Sequence, residues 1–168
     1  MLQSIDQLFE QFRTLKVGVI GDIMLDSYMW GHVDRISPEA PVPVVLLDRK
    51  EYRLGGAANV ALNLRSLGAP VSLFSVVGSD EEGDRLINML REQSIQTNGL
   101  IQSNNRITTN KTRIISRNQQ MMRLDSETTR ELNDADTNRL LTAIEEYITK
   151  EKPGVVILED YNKGVLTG

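Results

Sequence analysis

Apolar residues near the start of the chain fall at helical spacing: Ile5, Leu8, Phe9 and Phe12 stand at i, i+3, i+4 and i+7, behind a Ser4/Gln7 capping box. This spacing predicts a short amphipathic helix over about residues 4–13, docked by its apolar face. The run Val17-Gly-Val-Ile20 ends in Gly21-Asp22 and suits a buried parallel strand whose C-terminal end opens onto a functional edge. Pro38, Pro41 and Pro43 exclude a helix or a central strand, whereas Val42, Val44 and Leu46 alternate, so an edge or protruding strand is expected over about residues 43–53. Gly55-Gly56 opens an apolar stretch from Ala57 to Leu67, which reads as a buried helix with Gly68 as its C-cap. A strand at about residues 71–77 follows, then a helix at about 80–94 begun by a Ser79/Glu82 capping box.

Residues from about 98 to 125 interrupt this alternation with two β-rich stretches, Ile107 to Ser116 and Gln119 to Leu124, joined by an Arg117-Asn118 hairpin turn. They are expected to pair with the strand near 43–53, outside the main sheet. Leu140, Leu141, Ile144, Tyr147 and Ile148 mark a third long helix, stopped by Lys152-Pro153-Gly154 before the apolar strand Val155-Val-Ile-Leu158. The order predicts an α/β fold with helices on both faces of a parallel sheet and inserted β segments.

Composition narrows the function. With 19 Lys+Arg against 23 Asp+Glu, the net charge of −4 provides no positive field for nucleic acid. There is no cysteine and only one histidine, His32, which excludes disulfides, thiolate metal sites and multi-histidine zinc sites. His32 reads as a loop residue without a catalytic role, and Met121-Met122 as packing. No apolar run approaches the roughly 20 residues that span a bilayer, and Met1-Leu2-Gln3-Ser4 lacks a secretion pattern. A cytoplasmic protein without a membrane partner is expected.

No Gly-x-Gly-x-x-Gly follows the first strand and no phosphate-binding P-loop occurs. Two segments remain: Asp22 and Asp26 after the strand, and Gly55, Gly56 and Asn59 at a helix entrance. Brought together they form a polyol site, with carboxylates accepting from hydroxyls, glycines admitting backbone N–H groups, and an amide that both donates and accepts. The bland alternative is that Asp22 caps a turn, the glycines allow a bend, and backbone satisfies Asn59. Lys111, Arg113 and Arg117 share one parity on their strand and so form a candidate sugar-phosphate face; the alternative is an edge strand blunted by charge. Asp160-Tyr161-x-Lys163-Gly164 lies just past a strand's C-terminal end, where open α/β sheets bind ligands, making Asp160 and Lys163 candidates too.

Taken in order, Gly21-Asp-Ile-Met-Leu-Asp26, Arg35-Ile-Ser-Pro-Glu-Ala-Pro-Val-Pro-Val44, Gly55-Gly-Ala-Ala-Asn-Val60, Ser66-Leu-Gly-Ala69, Ser116-Arg-Asn-Gln-Gln120, Arg123-Leu-Asp125 and Asp160-Tyr-x-Lys-Gly164 resemble the ribokinase-like (phosphofructokinase-B) carbohydrate kinases. The Ile-Ser-Pro-Glu-Ala-Pro-Val-Pro and Ser-Arg-Asn-Gln-Gln runs resemble the bacterial heptose-phosphate branch. The resemblance implies a three-layer α/β/α sheet with a small protruding β-sheet lid, whose segments lie at about residues 34–54 and 106–124. It implies transfer of the γ-phosphoryl group of ATP, with Mg²⁺, to the anomeric hydroxyl of a heptose 7-phosphate. It places Asp22, Gly55, Gly56 and Asn59 on the sugar and Lys111 and Arg117 in the lid, and it implies a homodimer through that lid. The family's Gly-Ala-Gly-Asp motif, with its catalytic aspartate and anion hole, is not reached by Gly168. Residues 1–168 are thus expected to be a truncated, N-terminal, substrate-holding part, inactive and poorly stable alone. The alternatives are a non-catalytic sugar-phosphate-binding or dimerisation module, or a kinase of the same family acting on another sugar phosphate.

Overall fold

The computed structural model describes residues 4–167; Met1 to Gln3, part of the segment read for a secretion pattern, and Gly168 lie outside that range. Four strands form a parallel sheet in the order β5-β4-β1-β8: β1 (Val17–Gly21), β4 (Val71–Gly78), β5 (Gln96–Ser103) and β8 (Val155–Glu159). Two helices, α2 (Ala57–Ser66) and α3 (Glu81–Glu92), cover one face, where Val17, Val19, Leu73, Leu86 and Leu90 pack together. The other face receives α4 (Asp134–Glu151), whose Leu140, Ile144 and Tyr147 meet Ile20, Phe74 and Ile101. All five residues of β1 are buried, as a parallel strand sandwiched between helices requires. At the sheet edge β8 leaves Val156 and Leu158 exposed.

A second sheet stands apart, in the order β3-β2-β6-β7: β2 (Ile23–Ile36), β3 (Pro43–Gly56), β6 (Asn110–Ser116) and β7 (Gln119–Ser126). The proline-flanked strand β3 is an edge, as expected, and Arg117 and Asn118 both take positive φ (49° and 65°), the two-residue turn that matches strand twist.

The structure corrects several expectations. Residues 23–36, where the apolar pattern predicts no strand, form a 14-residue strand that carries His32, so this histidine is not in a loop. Gln96–Ser103 completes the parallel sheet and does not join the inserted segments. Strand β6 is internal to its sheet and not an edge. The cap of α3 is Asp80, not Ser79: its carboxylate accepts from Gly83 N–H and also from the N–H and hydroxyl of Thr108. The first helix, α1 (Ile5–Phe12), has its capping box but buries none of its residues, and Ile5, Leu8 and Phe9 stay exposed. Helix α2 buries only Ala57, Ala58 and Ala61, and Met121 and Met122 are exposed where packing was expected. Among the described residues, no helix is long and apolar enough to cross a membrane.

Candidate functional site

The chain passes between the two sheets at Gly21. A Cβ there would collide with the Glu159 carbonyl, so only glycine lets β1 end against β8 and turn into β2. The start of α2 is tied to the same junction, where Ala57 N–H donates to the Asp22 carbonyl at 2.9 Å. Gly56 takes φ +57°, a conformation that disfavours side chains, and holds the entrance of α2 against β2. At Gly55 a Cβ would lie 2.7 Å from Met24 Cγ and would meet the Asp26 carboxylate. The glycine pair thereby seats Asp26 beside the N-terminus of α2, where Asn59 stands exposed.

A cleft of about 780 Å³ opens at this junction, lined by Asp26, Gly55, Gly56, Asn59, Lys111 and Arg113 among the residues singled out from the sequence. These six come together across β2, β3, α2 and β6. Asp22, Arg117, Asp160 and Lys163 do not line it.

Asp22 is 1% exposed and lies beneath the cleft. Its Oδ2 accepts from the backbone N–H groups of Tyr161 (2.9 Å) and Lys163 (3.0 Å), and its Oδ1 from Val165 (3.1 Å). The turn-capping alternative describes this carboxylate, and the cleft-facing acid is Asp26. Asp160 Oδ1 accepts from Asn162 N–H in its own turn. Arg117 occupies the exposed hairpin turn, and β6 also carries a bulge between Ile114 and Ile115, so the single-face parity ends before it. Arg106 braces the loop after β8 by donating to the Lys163 carbonyl at 2.5 Å; burial lowers its pKa, opposed by the charges of Asp22 and Asp136.

Charge in the cleft is paired. Lys111 Nζ lies 3.0 Å from both Asp125 and Glu127, and Glu127 in turn accepts from Lys163 at 2.9 Å. Burial lowers the Lys111 pKa, but the hydrogen bonds to the two acids outweigh it and leave the ammonium above its usual value. Lys163 and Lys111 hold the Glu127 carboxyl below its ordinary value. Arg113 Nη1 donates to Asp26 Oδ1 at 2.5 Å.

Sequence reasoning missed Tyr28, Arg53, Arg123 and Tyr161, which also line the cleft. Tyr28 shares the face of Asp26 two residues along β2, and Arg53 is the register partner of Asp26 on β3. Recognition of residues 23–36 as a strand would have exposed both. Among the described residues, no group of three or more His, Cys, Asp or Glu is placed to hold a metal ion.

A profile of the pfkB family carbohydrate kinases matches residues 14–158. The chain is 45% identical over 165 residues to the bifunctional protein HldE of Trichlorobacter lovleyi, covering 98% of this chain and 33% of that one. It is 50% identical over 151 residues to the bifunctional protein HldE of Helicobacter pylori, with 90% of this chain and 32% of that one covered. This chain spans about a third of the length of these curated relatives. Solved structures of similar fold include phosphofructokinase-2 from Escherichia coli in complex with fructose-6-phosphate, at TM-score 0.62 and 17% identity over 86% of this chain and 45% of that one. A carbohydrate kinase from Agrobacterium tumefaciens superposes at TM-score 0.55 and 18% identity, over 84% and 52%. With its ribokinase-like α/β architecture and a matching segment that runs from before β1 into β8, the chain belongs to the pfkB family of carbohydrate kinases.

Proposed function

We propose that this chain holds the sugar in an ATP-dependent kinase acting on a heptose 7-phosphate, to give the 1,7-bisphosphate. The convergence of Asp26, Gly55, Gly56 and Asn59 on one cleft carries the reading. Asp26 accepts from sugar hydroxyls, Asn59 donates and accepts, and the glycines leave room for a hydroxyl-rich ring to approach backbone. The heptose assignment is supported by the Ile36 to Pro43 and Ser116 to Gln120 runs, and family membership supports a phosphorylated sugar. In the reaction the anomeric hydroxyl oxygen bonds to the γ-phosphorus, the bond to the departing ADP oxygen breaks, and the hydroxyl proton is lost. ATP and Mg²⁺ supply the phosphoryl group and charge neutralisation. The residues of this chain bind and orient the acceptor, and no described acid cluster is assigned to the metal.

A homodimer through the lid belongs to the same reading. On the lid face turned away from Asp26, Met29, Ile114 and Met122 are cross-strand partners and Leu124 lies beside them, with Met122 and Leu124 about half exposed. A second copy would cover this apolar stripe. A cytoplasmic location follows from the reading.

The test is a coupled phosphorylation assay on the protein carrying this sequence, with heptose 7-phosphate and a panel of other sugar phosphates. Turnover of heptose 7-phosphate supports the reading. Preference for another sugar phosphate retains a kinase and rejects the heptose, and binding without turnover of any sugar identifies a non-catalytic module.

A further inference from the structure

The cleft-facing side of the lid carries like charges placed against one another. In the antiparallel register of β6 and β7, Arg113 stands directly opposite Arg123, a pairing that destabilises a sheet when both residues are cations. One strand further across, Arg113 and Arg53 both lie over the Tyr28 ring, at 5.2 and 4.6 Å from its centroid. Two guanidinium groups thus lie over one aromatic ring, and a third, that of Arg123, stands beside Arg113 on the next strand and lines the same cleft.

The neighbouring carboxylates are shared or only partly engaged. Asp125 serves both Arg123 and Lys111. Asp26 engages only Nη1 of Arg113, and Nε and Nη2 of Arg113 have no protein acceptor among the described residues. Glu51 takes Arg53 through Nε at 2.6 Å and lies 3.9 Å from Arg49. Lys111, one of the three cations that share a parity on their strand, already sits between Asp125 and Glu127.

Such a cluster is relieved by a ligand that is anionic, compact and able to accept several forked hydrogen bonds. A phosphate monoester meets each requirement, since guanidinium grips its oxygens bidentately. The position also suits a sugar phosphate. Tyr28 lies two residues from Asp26, about 7 Å along the strand, so a ligand whose hydroxyls meet Asp26 can carry a phosphate on an exocyclic carbon to the arginines. Arg113 touches both places.

We propose that Arg53, Arg113 and Arg123, which line the cleft on three strands of the lid, form a cradle for the distal phosphate of the sugar, with Arg53 and Arg123 as the residues that select phosphorylated over unphosphorylated sugar. The proposal rests on the reading that the cleft holds a sugar, and it assigns the phosphate to Arg53 and Arg123 in place of Lys111 and Arg117.

Calorimetric titration tests it, with heptose 7-phosphate, fructose 6-phosphate, ribose 5-phosphate and the matching unphosphorylated sugars as probes. Arg53→Gln and Arg123→Gln are each expected to weaken the best-bound sugar phosphate roughly tenfold or more, the effect of a lost charge-assisted contact. The same variants should leave the unphosphorylated sugar unchanged, flatten the salt dependence, and shift the ligand-free melting temperature little, because the exposed ion pairs they lose, Arg53 with Glu51 and Arg123 with Asp125, are offset by the repulsion they relieve. Arg123→Lys, which keeps charge and loses the fork, should fall between. Wild-type affinity in both glutamine variants overturns the cradle, as does equal loss for phosphorylated and unphosphorylated sugars, or failure of every sugar phosphate to bind the wild type. If heptose 7-phosphate fails while another sugar phosphate binds and shows the arginine dependence, the cradle stands and the heptose assignment falls.

Discussion

Replacing Asp22 by asparagine separates a structural carboxylate from a sugar-binding one. At 1% exposure, its two oxygens receive three backbone N–H groups from the loop after β8, at 2.9, 3.0 and 3.1 Å. Asparagine retains one acceptor oxygen. If that oxygen serves Tyr161 and Lys163, the new NH₂ group faces the N–H of Val165; if it serves Val165, two N–H groups are left facing a donor. The favoured rotamer therefore loses one hydrogen bond to a charged acceptor, about 1.5–3 kcal/mol, and reduces the other two to neutral strength. Tyr161 and Asn162 are exposed, so water can re-satisfy part of the loop. The net expectation is a loss of about 2–4 kcal/mol, a fall in melting temperature of roughly 5–15 °C for a chain of this size. Urea unfolding followed by circular dichroism measures the loss, and limited proteolysis should show earlier cutting at residues 160–165. Asp26→Asn is the counterpart, expected to reduce sugar binding with a much smaller shift in the unfolding midpoint. If Asp22→Asn leaves the midpoint and the proteolysis pattern unchanged yet abolishes sugar binding, Asp22 is a ligand of the sugar and the structural assignment is wrong.

Asn59→Ala is expected to weaken sugar binding about tenfold by calorimetry while leaving the unfolding midpoint unchanged or slightly raised, because alanine is the better helix former at an exposed position. Gly55→Ala should both weaken sugar binding and destabilise by about 1–3 kcal/mol, since its methyl would stand 2.7 Å from Met24 Cγ and press on the Asp26 carboxylate. Glu127 has a native pKa held below its unfolded value by Lys163 and Lys111, so its stabilisation is complete above about pH 4.5 and is lost as the pH falls through the native value. Urea midpoints at pH 7 and pH 3 should accordingly converge between wild type and Glu127→Gln at the acid end, and an equal gap at both pH values would remove Glu127 from the ion network. Met122→Lys should raise the dimer dissociation constant at least tenfold in sedimentation equilibrium if the apolar stripe of the lid is the dimer contact, and an unchanged constant would place the contact elsewhere.

Local chemistry was legible in the sequence wherever the partners were near. Ser4 and Gln7, three residues apart, close the capping box at the start of the first helix. Arg117-Asn118 forms the two-residue turn, and Gly68 takes a positive φ one residue beyond the Leu67 cap of α2, not at the cap itself. The apolar run at Val17 is a strand buried on both faces. Strand β2 is not legible because one of its faces carries Asp26 and Tyr28, which line a cleft and not a core, and continues with Trp30 and His32, so no apolar alternation marks it. Its strand character is set by pairing on both sides, with β3 along its length and with β6, which joins in parallel from more than eighty residues later. The cap of α3 moved from Ser79 to Asp80 for a similar reason, since Thr108 completes the hydrogen bonding of the Asp80 carboxylate.

Taken by itself, the sequence determined the alternation of strands and helices and the inserted β segments, and it offered Asp22, Asp26, Gly55, Gly56 and Asn59 as candidates for one site. Only the tertiary structure decided between Asp22 and Asp26. Two carboxylates four residues apart are chemically identical as text, and their fates differ because the N–H groups that occupy Asp22 belong to residues about 140 positions away. The same holds for the cations: Lys111 is neutralised by acids beyond the hairpin, whereas Arg53 and Arg123 reach the cleft through register. A charged side chain's function depends on which of its hydrogen bonds the fold has already filled, and that is settled by long-range packing.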